Sequence, residues 1–301
     1  MRREVTGLAE QILWLFFQGI TSGCVYAFVA LSYVVVYSMT GLFNLLAGEF
    51  LMFGAILASV FYGLGLPLLL SIVLALIVSC IIGAITWLLF LHHGYSTGAP
   101  HLTLLLIIAA LAIAFMGIAY VIWGASPRTL PNFTEFKPVI ANVTISAQAP
   151  WIWGILLLTI GYLVFLFDRT LLGKAFRACS EQPMAATLMG INPNFMACLS
   201  FMLSALLGAI AGVTLIPLTT ANYAMGLGLS IKGCLAAMVG GIERFEGAII
   251  GGLLLGLLET FAGGFVSSGF MEAIALGILI VVLLFIPEGI LGRKEEKLCR
   301  G

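Results

Sequence analysis

Leu102-Thr103-Leu104-Leu105-Leu106-Ile107-Ile108-Ala109-Ala110-Leu111-Ala112-Ile113-Ala114-Phe115-Met116-Gly117-Ile118-Ala119-Tyr120-Val121-Ile122-Trp123 runs for 22 residues without a formal charge. As a helix rising about 1.5 Å per residue it would extend about 33 Å, close to the thickness of a bilayer's hydrocarbon core. The surrounding sequence repeats the pattern. Between Gln11 and Pro127 the only formally charged residue is Glu49, and the 301-residue chain is 62% hydrophobic and 9% charged, with a mean hydropathy of +1.18. A soluble fold of this size cannot hide so much apolar surface, so the solvent is lipid and the fold class is an all-α polytopic membrane protein.

At about 20 apolar residues per crossing, helices are expected near 12–37, 46–62, 66–91, 102–123, 151–167, 196–219, 230–242, 247–266 and 270–291. That makes nine. The seventh is shorter than a full span and carries Lys232 and paired glycines, so eight crossings also fit. The run from Ile12 is too long for a signal-peptide core and no small-residue cleavage site follows it, so it reads as a retained helix. The whole chain, 1–301, reads as a single transmembrane domain.

Basic residues flanking spans favour the cytoplasm. Arg169, Lys174 and Arg177 mark the 168–195 segment, and Arg293, Lys294, Lys297 and Arg300 mark the tail, so both are expected inside. Five helices before the central segment then place the N-terminus outside and the C-terminus in the cytoplasm, against a weak opposing signal from Arg2 and Arg3. The polar 124–150 stretch, with prolines at 127, 131 and 138 and the Val143-Thr144-Ile145-Ser146 alternation, is expected to form an external loop or hairpin. Glycines four apart, such as Gly247 and Gly251 or Gly252 and Gly256, would let helix backbones approach closely.

The central passage carries the functional signal. In Glu181-Gln182-Pro183-Met184-Ala185-Ala186-Thr187-Leu188-Met189-Gly190-Ile191-Asn192, Pro183 suits a first helical turn, Gly190 a left-handed stop, and Pro193 bars resumption. Two turns do not persist alone in water, so this helix must pack against something, and it reads as a docking surface for another protein.

Thr40-Gly41-Leu42-Phe43-Asn44-Leu45-Leu46-Ala47-Gly48-Glu49-Phe50 interrupts an apolar run with glycines, an amide and a carboxylate. Irregular backbone at membrane depth is tolerated where protein buries it or where it lines a wet cavity. Asn44, Gly48 and Glu49 therefore fit a helix break beside a transport path, and Glu49 equally fits an interfacial cap on the next helix. Glu259 falls mid-helix. An ionised carboxylate there costs about 2.5 to 3.5 kcal/mol on insertion scales, so it needs a partner, a proton or water. Glu272 reads as interfacial and Lys232 as a side chain snorkelling to the outer face. The charged turn Gly241-Ile242-Glu243-Arg244-Phe245-Glu246-Gly247 falls, by chain parity, on the same side as the central segment.

Other chemistries lack their motifs. No G-x-x-x-x-G-K-[ST] phosphate loop, G-x-S-x-G elbow or H-E-x-x-H pair occurs, so no catalytic residue is expected. The six cysteines are scattered and the histidines (His92, His93, His101) read as interfacial, so no metal site is expected. Zero net charge makes no case for nucleic acid.

Three features coincide: Thr21-Ser22-Gly23 through Ala30-Leu31 leading to Gly41-x-x-Asn44-x-x-x-Gly48-Glu49-Phe50; Leu172-Gly173-x-Ala175-x-Arg177-Ala178 with Gly190-Ile191-Asn192; and Gly240-Gly241-Ile242 through Gly247-Ala248-x-x-Gly251-Gly252-x-x-x-Gly256-x-x-Glu259. Together they resemble the branched-chain amino acid permease family of bacterial ABC importers. The resemblance implies an inner-membrane subunit that pairs with a homologous permease, receives an amino acid from a periplasmic binding protein and is driven by two cytoplasmic ATPases, which hold the ATP and magnesium. This chain itself would bind no cofactor. It also implies that Gly173, Arg177, Glu181, Ala185, Ala186, Gly190 and Asn192 belong to a coupling segment, with Ala185 and Ala186 fitting a groove in the ATPase. Asn44, Gly48, Glu49 and Glu259 would belong to the translocation path. Ala47 stands where the family commonly has His, and Glu243, Arg244 and Glu246 occupy a turn that is normally small and neutral, so urea, a short amide or another amino acid stays open as the solute. From the residues alone, a self-sufficient transporter coupled to a proton on Glu49 or Glu259, or a scaffold without substrate, also stays open.

Overall fold

The computed structural model describes residues 7–134, 138–140, 143–266, 269–286 and 289–291. The basic tail (Arg293, Lys294, Lys297, Arg300) and Arg2 and Arg3 lie outside them. The described residues form α1 (Leu8–Thr40), α2 (Ala47–Gly63), α3 (Leu68–Ile85), a π-helical turn (Thr86–Leu91), α4 (His92–Ser96), α5 (His101–Trp123), a hairpin of β1 (Val139–Ile140) and β2 (Val143–Thr144), α6 (Ala149–Arg169), α7 (Leu171–Glu181), α8 (Pro183–Leu188), α9 (Pro193–Leu215), α10 (Met225–Gly240), α11 (Phe245–Phe265) and α12 (Met271–Phe285). Among the described residues six helices are long and apolar enough to cross a membrane, counting α3 with its continuation to Ser96, and α2, α10 and α12 are shorter apolar helices. The seventh expected helix is one continuous element, α10, starting five residues earlier than its composition suggested.

α1 is the central post. From Ala27 to Val36 its side chains are fully enclosed, and α2, α9, α10 and α11 pack around it. Lipid supplies no hydrophobic drive between helices, so close van der Waals approach must hold them. Small residues provide it: a methyl group on Gly256 would run into the backbone of Gly23, and one on Gly252 into Ala27, where α1 crosses α11. Gly212 against Leu51 and Ala55 does the same for α9 and α2, and Gly251 against Ala236 for α11 and α10. α3, α5 and α6 stand outside this core with apolar side chains exposed, as lipid-facing helices require.

The hairpin pairs Val139 with Thr144, so the alternation in the 124–150 stretch does mark strand. Arg128 pairs with Ala221 through two backbone bonds and ties this stretch to the turn before α10. At the opposite end of the bundle, Ile290 N–H donates to Val239 O, so the end of α12 lies beside the turn joining α10 to α11.

Candidate functional site

The break between α1 and α2 is built from its glycine outward. Gly41 takes the left-handed conformation at φ 67° and its N–H donates to Tyr37 O, ending α1. Asn44 then turns inward, completely buried, donating from Nδ2 to Ser204 Oγ at 2.7 Å while its Oδ1 accepts Leu46 N–H at 3.3 Å. Ser32 Oγ donates to Ser204 O at 2.8 Å, which joins α1, the break and α9 in one polar knot. A second knot pins α10: Tyr33 OH lies 2.7 Å from Ser230 Oγ, which donates to Leu45 O at 2.7 Å. The irregular backbone is therefore buried in protein, one of the two settings that satisfy it at membrane depth.

Gly48 and Glu49 open α2 against the first turn of α10. Glu49 is 1% exposed, and a methyl group on Gly226 would sit 2.6 Å from Glu49 Oε1, so only glycine lets the carboxyl rest there. The N-terminal, partly positive end of α10 lies beside that carboxyl. Glu49 Oε2 has no hydrogen-bond partner among the described residues. Glu49 sits in the first turn of its own helix and beside the start of another, but it is buried and caps neither by a side-chain hydrogen bond, so the interfacial-cap reading does not hold.

Glu259 lies apart from this site. Lys232 Nζ is 2.7 Å from Glu259 Oε1 and 2.8 Å from Glu272 Oε1, with the Tyr26 ring 5.5 Å away. Lys232 does not snorkel. It is a mostly buried cation that pairs with one carboxylate on α11 and one on α12, over Tyr26 of α1. Sequence reasoning missed the pair since 27 residues separate its members. The available signal was that both are opposite charges in apolar helices.

The 168–195 segment holds two helices where one was expected. Thr170 caps α7 by accepting Gly173 N–H at 3.1 Å, and Gly173, Phe176 and Cys179 form its buried stripe. Gly173 is needed for the fold-back, since a side chain there would strike the Leu166 and Phe167 backbone. Phe176 packs on Phe167 at 5.1 Å and Phe167 on Phe245 at 4.8 Å, so α7 lies beside the charged α10–α11 turn, as chain parity predicts. Arg177 pairs with Asp168, and Glu181 is exposed at the end of α7. Gly190 takes φ 82° and Asn192 caps α9 by accepting Asn194 and Phe195 N–H.

α8 is turned differently from the expectation that both alanines face outward. Ala186 is 3% exposed and packs inward, while Met184, Leu188 and Met189 are each more than 80% exposed, with Ala185 beside them. Three large apolar side chains thus stand exposed together on and just after this short helix. Elsewhere, a cavity of about 380 Å³ between α3, α6 and α9, lined by residues such as Ile72, Trp151, Ile155 and Ile210, contains no titratable side chain and is no candidate for a polar solute. Among the described residues no group of His, Cys, Asp and Glu could hold a metal ion.

These features define a polytopic helical membrane protein with buried charges inside its bundle and an exposed apolar patch on a short helix outside it. A family model described as "Branched-chain amino acid transport system / permease component" matches residues 15–287, and the chain belongs to that family, a transport component and not an enzyme. It is 32% identical to the high-affinity branched-chain amino acid transport system permease protein BraD of Pseudomonas aeruginosa, over 92% of this chain and 94% of that one. It is 28% identical to the corresponding protein LivH of Escherichia coli, over 96% of this chain and 99% of the other. The solved structure of PsaBC from Streptococcus pneumoniae in complex with Fab shares the fold, with a TM-score of 0.50 and 15% identity, covering 92% of this chain and 95% of that one.

Proposed function

We propose that this chain is the permease subunit of an ATP-driven importer for branched-chain amino acids in the bacterial inner membrane. It pairs with a homologous permease, takes its solute from a periplasmic binding protein, and docks one of two cytoplasmic ATPases through α7 and α8. The observation that carries this reading, beside family membership, is the exposed patch of Met184, Leu188 and Met189 on a helix held at both ends, by Pro183 and by Gly190, and from below by Ala186. Docked there, an ATPase that moves on binding nucleotide would push α8, and through the Phe176, Phe167 and Phe245 stack the displacement reaches α6 and α11. Such a ratchet works only if the partner binds the two permease states unequally. In this reading nine helices cross the membrane, with the N-terminus outside, the 124–150 hairpin outside, and the 168–195 segment and C-terminus in the cytoplasm.

Reconstitution tests it. Proteoliposomes holding this chain, its partner permease and the ATPases should accumulate radiolabelled leucine only when ATP is inside and the binding protein outside. Uptake by this chain alone, driven by a proton gradient without ATP, would overturn the proposal in favour of a secondary transporter.

A further inference from the structure

Lys232, Glu259 and Glu272 leave a hydrogen-bonding remainder. One lysine faces two carboxylates, an excess of one negative charge. The Glu259 side chain is only 7% exposed, and its Oε2 has no hydrogen-bond partner among the described residues. An ammonium group carries three donors, of which Lys232 spends two on the carboxylates. Beside Tyr26, which touches both groups, the cluster thus keeps one ammonium N–H not given to a carboxylate and one buried carboxylate oxygen without a hydrogen bond of good geometry among the described residues. A zwitterionic α-amino acid carries the complement: a carboxylate to accept and an ammonium to donate.

We propose that this cluster is a subsite for the charged head of the transported amino acid, with Glu259 Oε2 taking its ammonium and Lys232 its carboxylate. Glu272, 64% exposed in the first turn of α12, is the entrance, and its bond to Lys232 is the one a substrate displaces. Near this entrance α11 and α12 touch through Gly263 and the Met271 side chain. Charge-assisted bonds to a desolvated partner are the strong ones, so a neutral solute of the same shape would be rejected here. The Tyr26 ring lies beside Lys232 and its hydroxyl faces the Glu259 carboxylate, so this tyrosine forms a partly polar back wall to the cluster.

The inference rests on the importer reading, and one experiment separates their failures. Leucine uptake is measured in the complete reconstituted complex for wild type, Glu259→Gln, and the charge-neutral double variant Lys232→Met with Glu259→Gln, each checked for assembly with its ATPases. If wild type fails to import leucine, the importer reading falls. If wild type imports and the subsite exists, both variants assemble yet lose uptake by about tenfold or more, the loss of one charged hydrogen bond. If the double variant restores uptake, the ions are a structural pair and the subsite is overturned; unchanged uptake in Glu259→Gln overturns it equally. Should Glu259→Gln fail to assemble, the double variant, which buries no unpaired charge, still decides.

Discussion

Gly256 concentrates the logic of the bundle in one position. Its hydrogen stands where α1 and α11 touch backbone to backbone, so Gly256→Leu forces the central post away from its most extensive neighbour. The clash is with main chain, which cannot rotate aside, so the cost should reach about 3 kcal/mol or more, the upper end for overpacking. Thermal melting of the purified protein in detergent should show a large drop in Tm or no monodisperse protein; a melt like wild type would refute the contact. Asn44 is the polar counterpart. Asn44→Ala removes the Ser204 bond and leaves Leu46 N–H buried without its acceptor, a loss of about 1 to 3 kcal/mol. The same melting assay checks it, and Ser204→Ala should lower Tm in the same direction, with the two changes less than additive because they cut one knot.

α8 was readable from its punctuation, Pro183 at the start and Gly190 at the stop, because both residues act through local backbone geometry. Which of its faces points outward was not. The inward turn of Ala186 follows from where α7 and α9 lie, and in the proposed docking it leaves the contact to the larger neighbours. Leu188→Asp therefore should abolish co-purification of the ATPase, weakening it by more than about tenfold, while leaving the permease folded, since Leu188 is 86% exposed. ATPase recovered at wild-type levels would rule out the patch. α7 escaped notice as a separate helix because its length is polar; it stands only by burying Phe176 and Cys179. Burial also pushes the Cys179 thiol above its ordinary value. It should stay unlabelled by maleimide at neutral pH in folded protein, whereas denatured protein labels fully. The π-helical turn had no sequence signal either. It re-aims Trp87 between Tyr95 and Phe201, a contact that exists only once α9 is in place.

The bundle as assembled has two ends. One gathers α7, the charged turn before α11 and the end of α12; the other holds the hairpin and its tie to Ala221. If the first end is cytoplasmic, Ser180→Cys in a right-side-out vesicle reacts with an impermeant maleimide only after permeabilisation, and Asn132→Cys reacts from outside at once. Both positions are exposed, so access alone decides the outcome. Reaction of Ser180→Cys from outside would invert the topology and remove the ATPase from the picture.

Composition by itself determined the medium and the helices. In hydrocarbon each spanning segment must satisfy its own backbone, so a crossing is a local event and is written in consecutive residues. The partners of the buried charges belong to tertiary structure alone. Lys232 meets Glu259 and Glu272, and Glu49 meets the start of α10, across long stretches of chain, through helix rotations and tilts that many glycine contacts set jointly and no short window of sequence contains.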